Sequence, residues 1–221
     1  MVPCCRLQSV GLMTFDPAKV RIAGATVEVK QGTWRVMTMR AVAVVVYESM
    51  YGNTHLVADA IGAGLRPAFD VTVVPVAQAG PAILDGADLI VVGGPTHVHG
   101  MSRASTRKAA VEAADKPDSG LKMEPDALGQ GLREWFDSIG HYPARAAAFD
   151  TRMQGPAAFT GRASKRVDRL LRAHGFDVVI EPESFLVTKQ NRLMAHESAR
   201  AREWGTKLAG LAPRCEPSTQ G

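Results

Sequence analysis

The run Glu48-Ser49-Met50-Tyr51-Gly52-Asn53-Thr54 sets two hydroxyl side chains, a carboxamide and a glycine between an apolar stretch and an amphipathic one. Residues of these types can surround an anion. The first amides of a helix lack intrahelical acceptors, and the helix dipole favours negative charge at that end. Ser49 and Thr54 add O–H donors, Gly52 permits close backbone approach and an unusual torsion, and Asn53 either offers its amide or stabilises the turn. A turn serine or an N-cap threonine alone means little, because both precede many helices. Their combination after a strand and before a helix points to a phosphate nest.

The elements that must position this loop are legible in the surrounding pattern. AVAVVVY, Ala41–Tyr47, is a continuous β-branched and alanine run of strand length, as expected for a strand buried on both faces. Leu56, Val57, Ala60, Ile61, Gly64 and Leu65 then recur at helical spacing until Pro67. The alternation repeats. Strands are expected at 71–76, 87–92 and 144–149, with strand pieces at 178–180 and 185–187. Helices are expected at 103–114, 131–139, 162–173 and 193–211, with a helical turn at 81–84 and a loop or partly helical insertion at 115–130. Alternating strands and helices predict a doubly wound α/β sheet with right-handed crossovers. Ligands of such sheets gather beyond the strand carboxyl ends, where loops 48–54, 94–102 and 151–156 converge.

With these residues in place, Val45-Val46-Tyr47-x-Ser49-x-x-Gly52-x-Thr54, continued by Ala58 and Ile61, resembles the phosphate-loop signature of the flavodoxin family. The resemblance extends over residues 40–211 and differs from both the GxGxxG and the P-loop patterns. It implies a five-stranded parallel sheet of order 2-1-3-4-5 and noncovalent binding of flavin mononucleotide (FMN). The phosphate would lie on Ser49, Asn53 and Thr54, within a loop completed by Met50, Tyr51 and Gly52. The ring would be held by the second and third loops.

The second loop, residues 93–102, is similar to the Gly-Pro-Thr loop of broader flavodoxin-like reductases and lacks Trp and Tyr. Pro95, Thr96, His97 and Gly100 are its candidate flavin contacts, with Thr96 on the pyrimidine side and His97 at the ring edge or face. His99 is left open. The third loop, residues 150–155, offers Thr151 and Arg152 where electron-carrier flavodoxins usually have aromatic and acidic residues. An arginine there favours an anionic reduced ring or an anionic substrate. Arg152 reads equally well as a solvated loop residue.

Charge narrows the partner classes. Residues 1–39 hold Arg6, Lys19, Arg21, Lys30 and Arg35 against Asp16 and Glu28, which is +3 of the chain's formal +4. The remainder is nearly neutral. Arg162, Lys165, Arg166, Arg169 and Arg172 form a basic helix face opposite Val167, Leu170 and Leu171, read as a solvated surface or a dock for an acidic redox partner. No aromatic platforms interleave these charges, so nucleic acid is not expected as a partner. Cys4, Cys5 and Cys215 give neither a disulfide framework nor a metal spacing and are expected to be free thiols. The longest apolar run has strand length and no secretory signal is read, so a cytoplasmic protein without membrane association is expected.

Residues 1–39 stand apart as an appendage in which Ala25–Lys30 alone reads as a strand. A disordered leader, a peripheral hairpin and an over-extended start at Met37 or Met39 are its alternatives. Residues 212–221 read as a tail. The leading functional expectation is an FMN-binding protein in electron transfer, or a small oxidoreductase, acting with a redox protein or a small-molecule electron acceptor. The alternative is a noncatalytic flavodoxin-like module with weak or lost flavin binding. A hydrolase using Ser49, His97 and Glu48 ranks far behind, since Ser49 lacks a nucleophile-elbow setting. Oligomeric state is left open by the sequence.

Overall fold

The protein is described by a computed structural model covering residues 19–22, 25–30, 33–38, 40–97 and 100–211. The chain divides into two compact units, Met1–Arg40 and Ala41–Gly221. In the first, β1 (Lys19–Ile22), β2 (Ala25–Lys30) and β3 (Thr33–Thr38) form an antiparallel sheet in that order. The expected strand at Ala25–Lys30 therefore has a partner on each side, and Thr26, Val27 and Glu28 pair with both neighbours. The cysteines and the tail from residue 212 lie outside the described residues.

The second unit is a parallel sheet with helices on both faces. Its elements run β4 (Ala41–Tyr47), α1 (Asn53–Leu65), β5 (Phe69–Pro75), α2 (Pro81–Leu84), β6 (Leu89–His97), β7 (Gly100–Met101), α3 (Ala104–Ala114) and α4 (Leu132–Ser138). They continue through β8 (Arg145–Met153), α5 (Ala157–Thr160), α6 (Ala163–Ala173), β9 (Asp177–Val178), β10 (Glu183–Val187) and α7 (Glu197–Gly210). The principal strands lie in the order β5-β4-β6-β8-β10, which is 2-1-3-4-5 in order of appearance. All four pairings between them are parallel.

Side-chain alternation along β4 divides the core. Ala43, Val45 and Tyr47 face a cluster with Ile61 of α1, Phe149 of β8 and Trp204 of α7, while Val44 and Val46 face Trp135, Phe136 and Val167 of α4 and α6. Gly64 and Gly205 let α1 and α7 meet almost backbone to backbone, since a Cβ at either would fall 2.1 or 2.3 Å from a carbonyl oxygen of the other helix. Close packing of the helices fixes the last turns of α1 against α7.

Two strand ends differ from expectation for a tertiary reason. The third strand continues through Gly93, Gly94 and Pro95 to His97 because these residues pair with Phe149, Asp150 and Thr151. A Cβ at Gly93 would strike the Phe149 ring at 2.3 Å, so this glycine makes room for a neighbour and does not end the strand. The fourth strand likewise runs on to Met153, absorbing half of the expected third loop. The fifth is split into two pieces, as expected: β9 pairs with the start of β8 and β10 with its end, around Glu181 and Pro182. Proline has no N–H to give a ladder. Among the described residues no helix is long and apolar enough to cross a membrane.

Candidate functional site

A cleft of about 370 Å³ opens at the carboxyl edge of the sheet, between the ends of β4, β6 and β8. Ten of the twelve candidate residues line it: Ser49, Met50, Tyr51, Asn53 and Thr54 at one end, and Pro95, Thr96, His97, Thr151 and Arg152 along the rest. Gly52 and Gly100 do not. Gly52 shapes the floor of the loop from behind, and Gly100 lines a neighbouring hollow.

The first loop is built from local geometry. Gly52 takes the left-handed conformation, φ +86°, and stands at the cap position of α1, where no side chain caps the helix. The first-turn amides of α1 are therefore not claimed by a capping side chain. Ser49 Oγ accepts from Gly52 N at 3.1 Å, which leaves its proton for another acceptor. Thr54 and Thr151 are both buried and their hydroxyls lie 2.7 Å apart. Such a pair consumes one of its two protons, so one O–H remains to donate.

The Asn53 side chain is engaged within the fold. Its Nδ2 donates to Asn191 O at 2.8 Å and its Oδ1 accepts from Leu193 N at 2.9 Å. The carboxamide thus pins the turn after β10 against the first loop. Asn191, itself at φ +56°, lines the cleft beside it. A second clasp comes from the 115–131 segment, where Glu124 N donates to Met50 O at 2.9 Å and Glu124 Oε1 lies 3.2 Å from His55 Nδ1.

The opposite end is assembled from distant stretches. Residues 93–97 end β6, and Gly100–Met101 form its antiparallel partner β7, with Thr96 opposite Met101 and His97 opposite Gly100. Val98 and His99 lie outside the described residues. Thr96 Oγ1 accepts from Ala163 N at 2.9 Å, tying the hairpin to the start of α6. Burial, with Arg107 adding to it, lowers the His97 pKa and favours the neutral imidazole. Arg152 lines the cleft while its Nη1 donates to Gly155 O and Thr160 Oγ1, both at 2.8 Å. Its buried Nε has no hydrogen-bond partner among the described residues.

Beneath the hairpin lies a charged cluster. Glu48, 5% exposed, accepts from Leu132 N at 2.8 Å and from Ser102 Oγ, while Arg107 bonds Ser102 and pairs with Glu134 at 2.9 Å. Burial raises the Glu48 pKa. Both Glu48 oxygens are thus engaged away from Ser49, which removes the carboxylate from a Ser49–His97–Glu48 triad. Asp150, also fully buried, accepts from Ser164 N at 2.7 Å in the first turn of α6, and burial raises its pKa too. It brings the cleft no acidic side chain.

Several lining residues carried no sequence signal: Thr106, Ala109 and Ala110 of α3, Val187 and Asn191, while Met153 belongs to the expected third loop. Only Asn191, in a polar run after a strand's carboxyl end, resembles a ligand-loop residue. Among the described residues, no group of three or more His, Cys, Asp or Glu side chains is arranged to hold a metal ion.

Sheet order and edge cleft define a doubly wound α/β protein with a cleft at the strand switch point. The family described as flavodoxin matches over residues 45–204, and the chain belongs to that family. No curated protein matches the sequence. Among solved structures, a flavodoxin from the Archaea is similar at 21% identity and a TM-score of 0.51, covering 76% of this chain and 96% of its own. Flavodoxin 1 of Bacillus cereus gives 20% identity and 0.52, covering 77% and 98%. The Streptococcus pneumoniae flavodoxin gives 19% and 0.51, covering 77% and 99%. At these identities the likeness is one of fold.

Proposed function

We propose that the protein binds FMN noncovalently in the edge cleft and works as a small oxidoreductase or electron-transfer protein. The observation that carries this reading is the donor set at one end of the cleft. It comprises the Ser49 hydroxyl, the surplus proton of the Thr54–Thr151 pair and the first-turn amides of α1 that no side chain caps. That set suits a dianionic phosphate and includes no carboxylate. The orphaned Arg152 Nε is a further donor in a lining side chain and suits an acceptor on a ligand.

When bound, FMN would supply reversible one- and two-electron chemistry, and the chain's own residues would hold and tune it. Ser49 and Thr54 would bind the phosphate, with Gly52 and Asn53 keeping the loop in shape. Thr96 and His97 would flank the ring from the β6 hairpin, and Arg152 would place positive charge near it. Met50, Ala109, Ala110 and Met153 supply apolar lining to the cleft. Tyr51 anchors its hydroxyl on Ala110 O at 2.8 Å, which holds the first loop to α3. A redox protein or a small-molecule electron acceptor would complete the reaction.

Absorption spectroscopy and native mass spectrometry of gently purified protein, before and after adding FMN, test the reading. A stoichiometric yellow complex is expected. A folded protein that stays colourless with excess FMN would favour the noncatalytic module.

A further inference from the structure

Across His97 and Thr106 from the cleft, a second hollow of about 280 Å³ is lined by His97 and Gly100 of the hairpin, Arg103, Ser105 and Thr106 at the start of α3, and Arg133 of α4. His97 and Thr106 line both spaces, so the two are adjoining. Two guanidinium groups line the hollow and no carboxylate does. The acids of the cluster below are committed elsewhere: Glu134 to Arg107, and Glu48 to Ser102 and Leu132.

Arg133 is fixed in place. Its Nε donates to Ser102 O at 2.7 Å and its Nη2 to Met101 O at 3.2 Å, and neither bond uses Nη1. Arg103 is exposed and has no ion pair among the described residues. Uncompensated guanidinium groups on one wall favour an oxyanion, which accepts charge-assisted hydrogen bonds from each. We propose that this hollow is an anion subsite holding the carboxylate or phosphate of a small-molecule substrate, whose remainder passes His97 and Thr106 into the main cleft. The substrate role rests on the proposed FMN function; anion binding itself does not.

Calorimetric titration of benzoate into the FMN-loaded protein tests it, with the phosphate loop already filled. Saturable binding is expected, weakening with added salt and falling about tenfold in R103Q and again in R133Q, with FMN affinity unchanged in both. Because Arg133 also staples Met101 and Ser102, R133K serves as the charge-retaining control and should bind benzoate better than R133Q. Thermal unfolding of each variant checks the fold. Inorganic phosphate in the same titration distinguishes the two sources of oxyanion, and dependence on Arg103 from either supports the subsite. Wild type that binds neither anion, or folded R103Q and R133Q that bind both as wild type does, would overturn it. Should the protein fail to take up FMN, benzoate titration of the unloaded chain judges the subsite separately through its dependence on Arg103 and Arg133, neither of which lines the first loop.

Discussion

The two ends of the cleft are built on different principles. At the phosphate-type end, a few consecutive residues supply the hydroxyls, the left-handed glycine and the helix start, joined by Thr151 and Asn191 from far along the chain. At the other end, Pro95, Thr96 and His97 come from β6, Thr106, Ala109 and Ala110 from α3, and Arg152 and Met153 from β8, supported by the buried Glu48–Ser102–Arg107–Glu134 cluster. The first end therefore draws most of its polar groups from one stretch of sequence. The second depends on that frame, and this is where a common scaffold can acquire a particular chemistry.

The largest expected effect separates the ends directly. Thr54→Ala removes one member of the hydroxyl pair and its surplus donor, so FMN affinity should fall by about 1.5–3 kcal/mol, or roughly tenfold to a hundredfold in Kd. Fluorescence titration reads the loss, and unchanged affinity in a folded variant would detach Thr54 from the site.

At the other end, Glu48→Ala should act on stability first. It strands the buried Leu132 N–H and removes the Ser102 partner, at a cost of about 1–3 kcal/mol in chemical unfolding. Its effect on FMN affinity should be smaller than that of T54A. The reverse ranking would break the contrast between a binding end and a supporting frame.

His97 offers a pH test. Its folded pKa lies below the ordinary value near 6.5 because burial disfavours the charged ring. As pH falls through the unfolded value, the unfolded chain takes up a proton that the folded state resists, so stability should decline below about pH 6.5. The decline cannot exceed the one-proton limit of about 1.4 kcal/mol per pH unit. Unfolding curves of wild type and His97→Asn between pH 7.5 and 5.5 should diverge, with the shallower slope in H97N.

The smallest effect is predicted by sign alone. If Arg152 stabilises negative charge gained by the flavin on reduction, Arg152→Gln should lower the two-electron potential in anaerobic titration of FMN-loaded protein. Part of that guanidinium is already spent on Gly155 and Thr160, and solvent screens the rest. An unchanged or raised potential would leave Arg152 as a staple of its own loop.

The sequence by itself determined the strand Ala41–Tyr47, the loop that follows it, the alternation of strands and helices, and the family. Each of these is written in neighbouring residues: a β-branched run, a Ser–Gly–Thr spacing, a 3.6-residue stripe. Tertiary structure decided the rest. Gly93 and Gly94 read locally as the end of a strand, yet they pair onward because Phe149 and Leu132 fill the space their side chains would occupy. Asn53 read locally as a phosphate donor or a turn residue, and contacts with Asn191 and Leu193 engage its side chain within the fold. Arg103 and Arg133 come from separate helices and carry no shared spacing in the chain. They line one hollow because α3 and α4 both start beside the β6–β7 hairpin, and that placement is set by the buried cluster at Glu48 and by packing against the sheet.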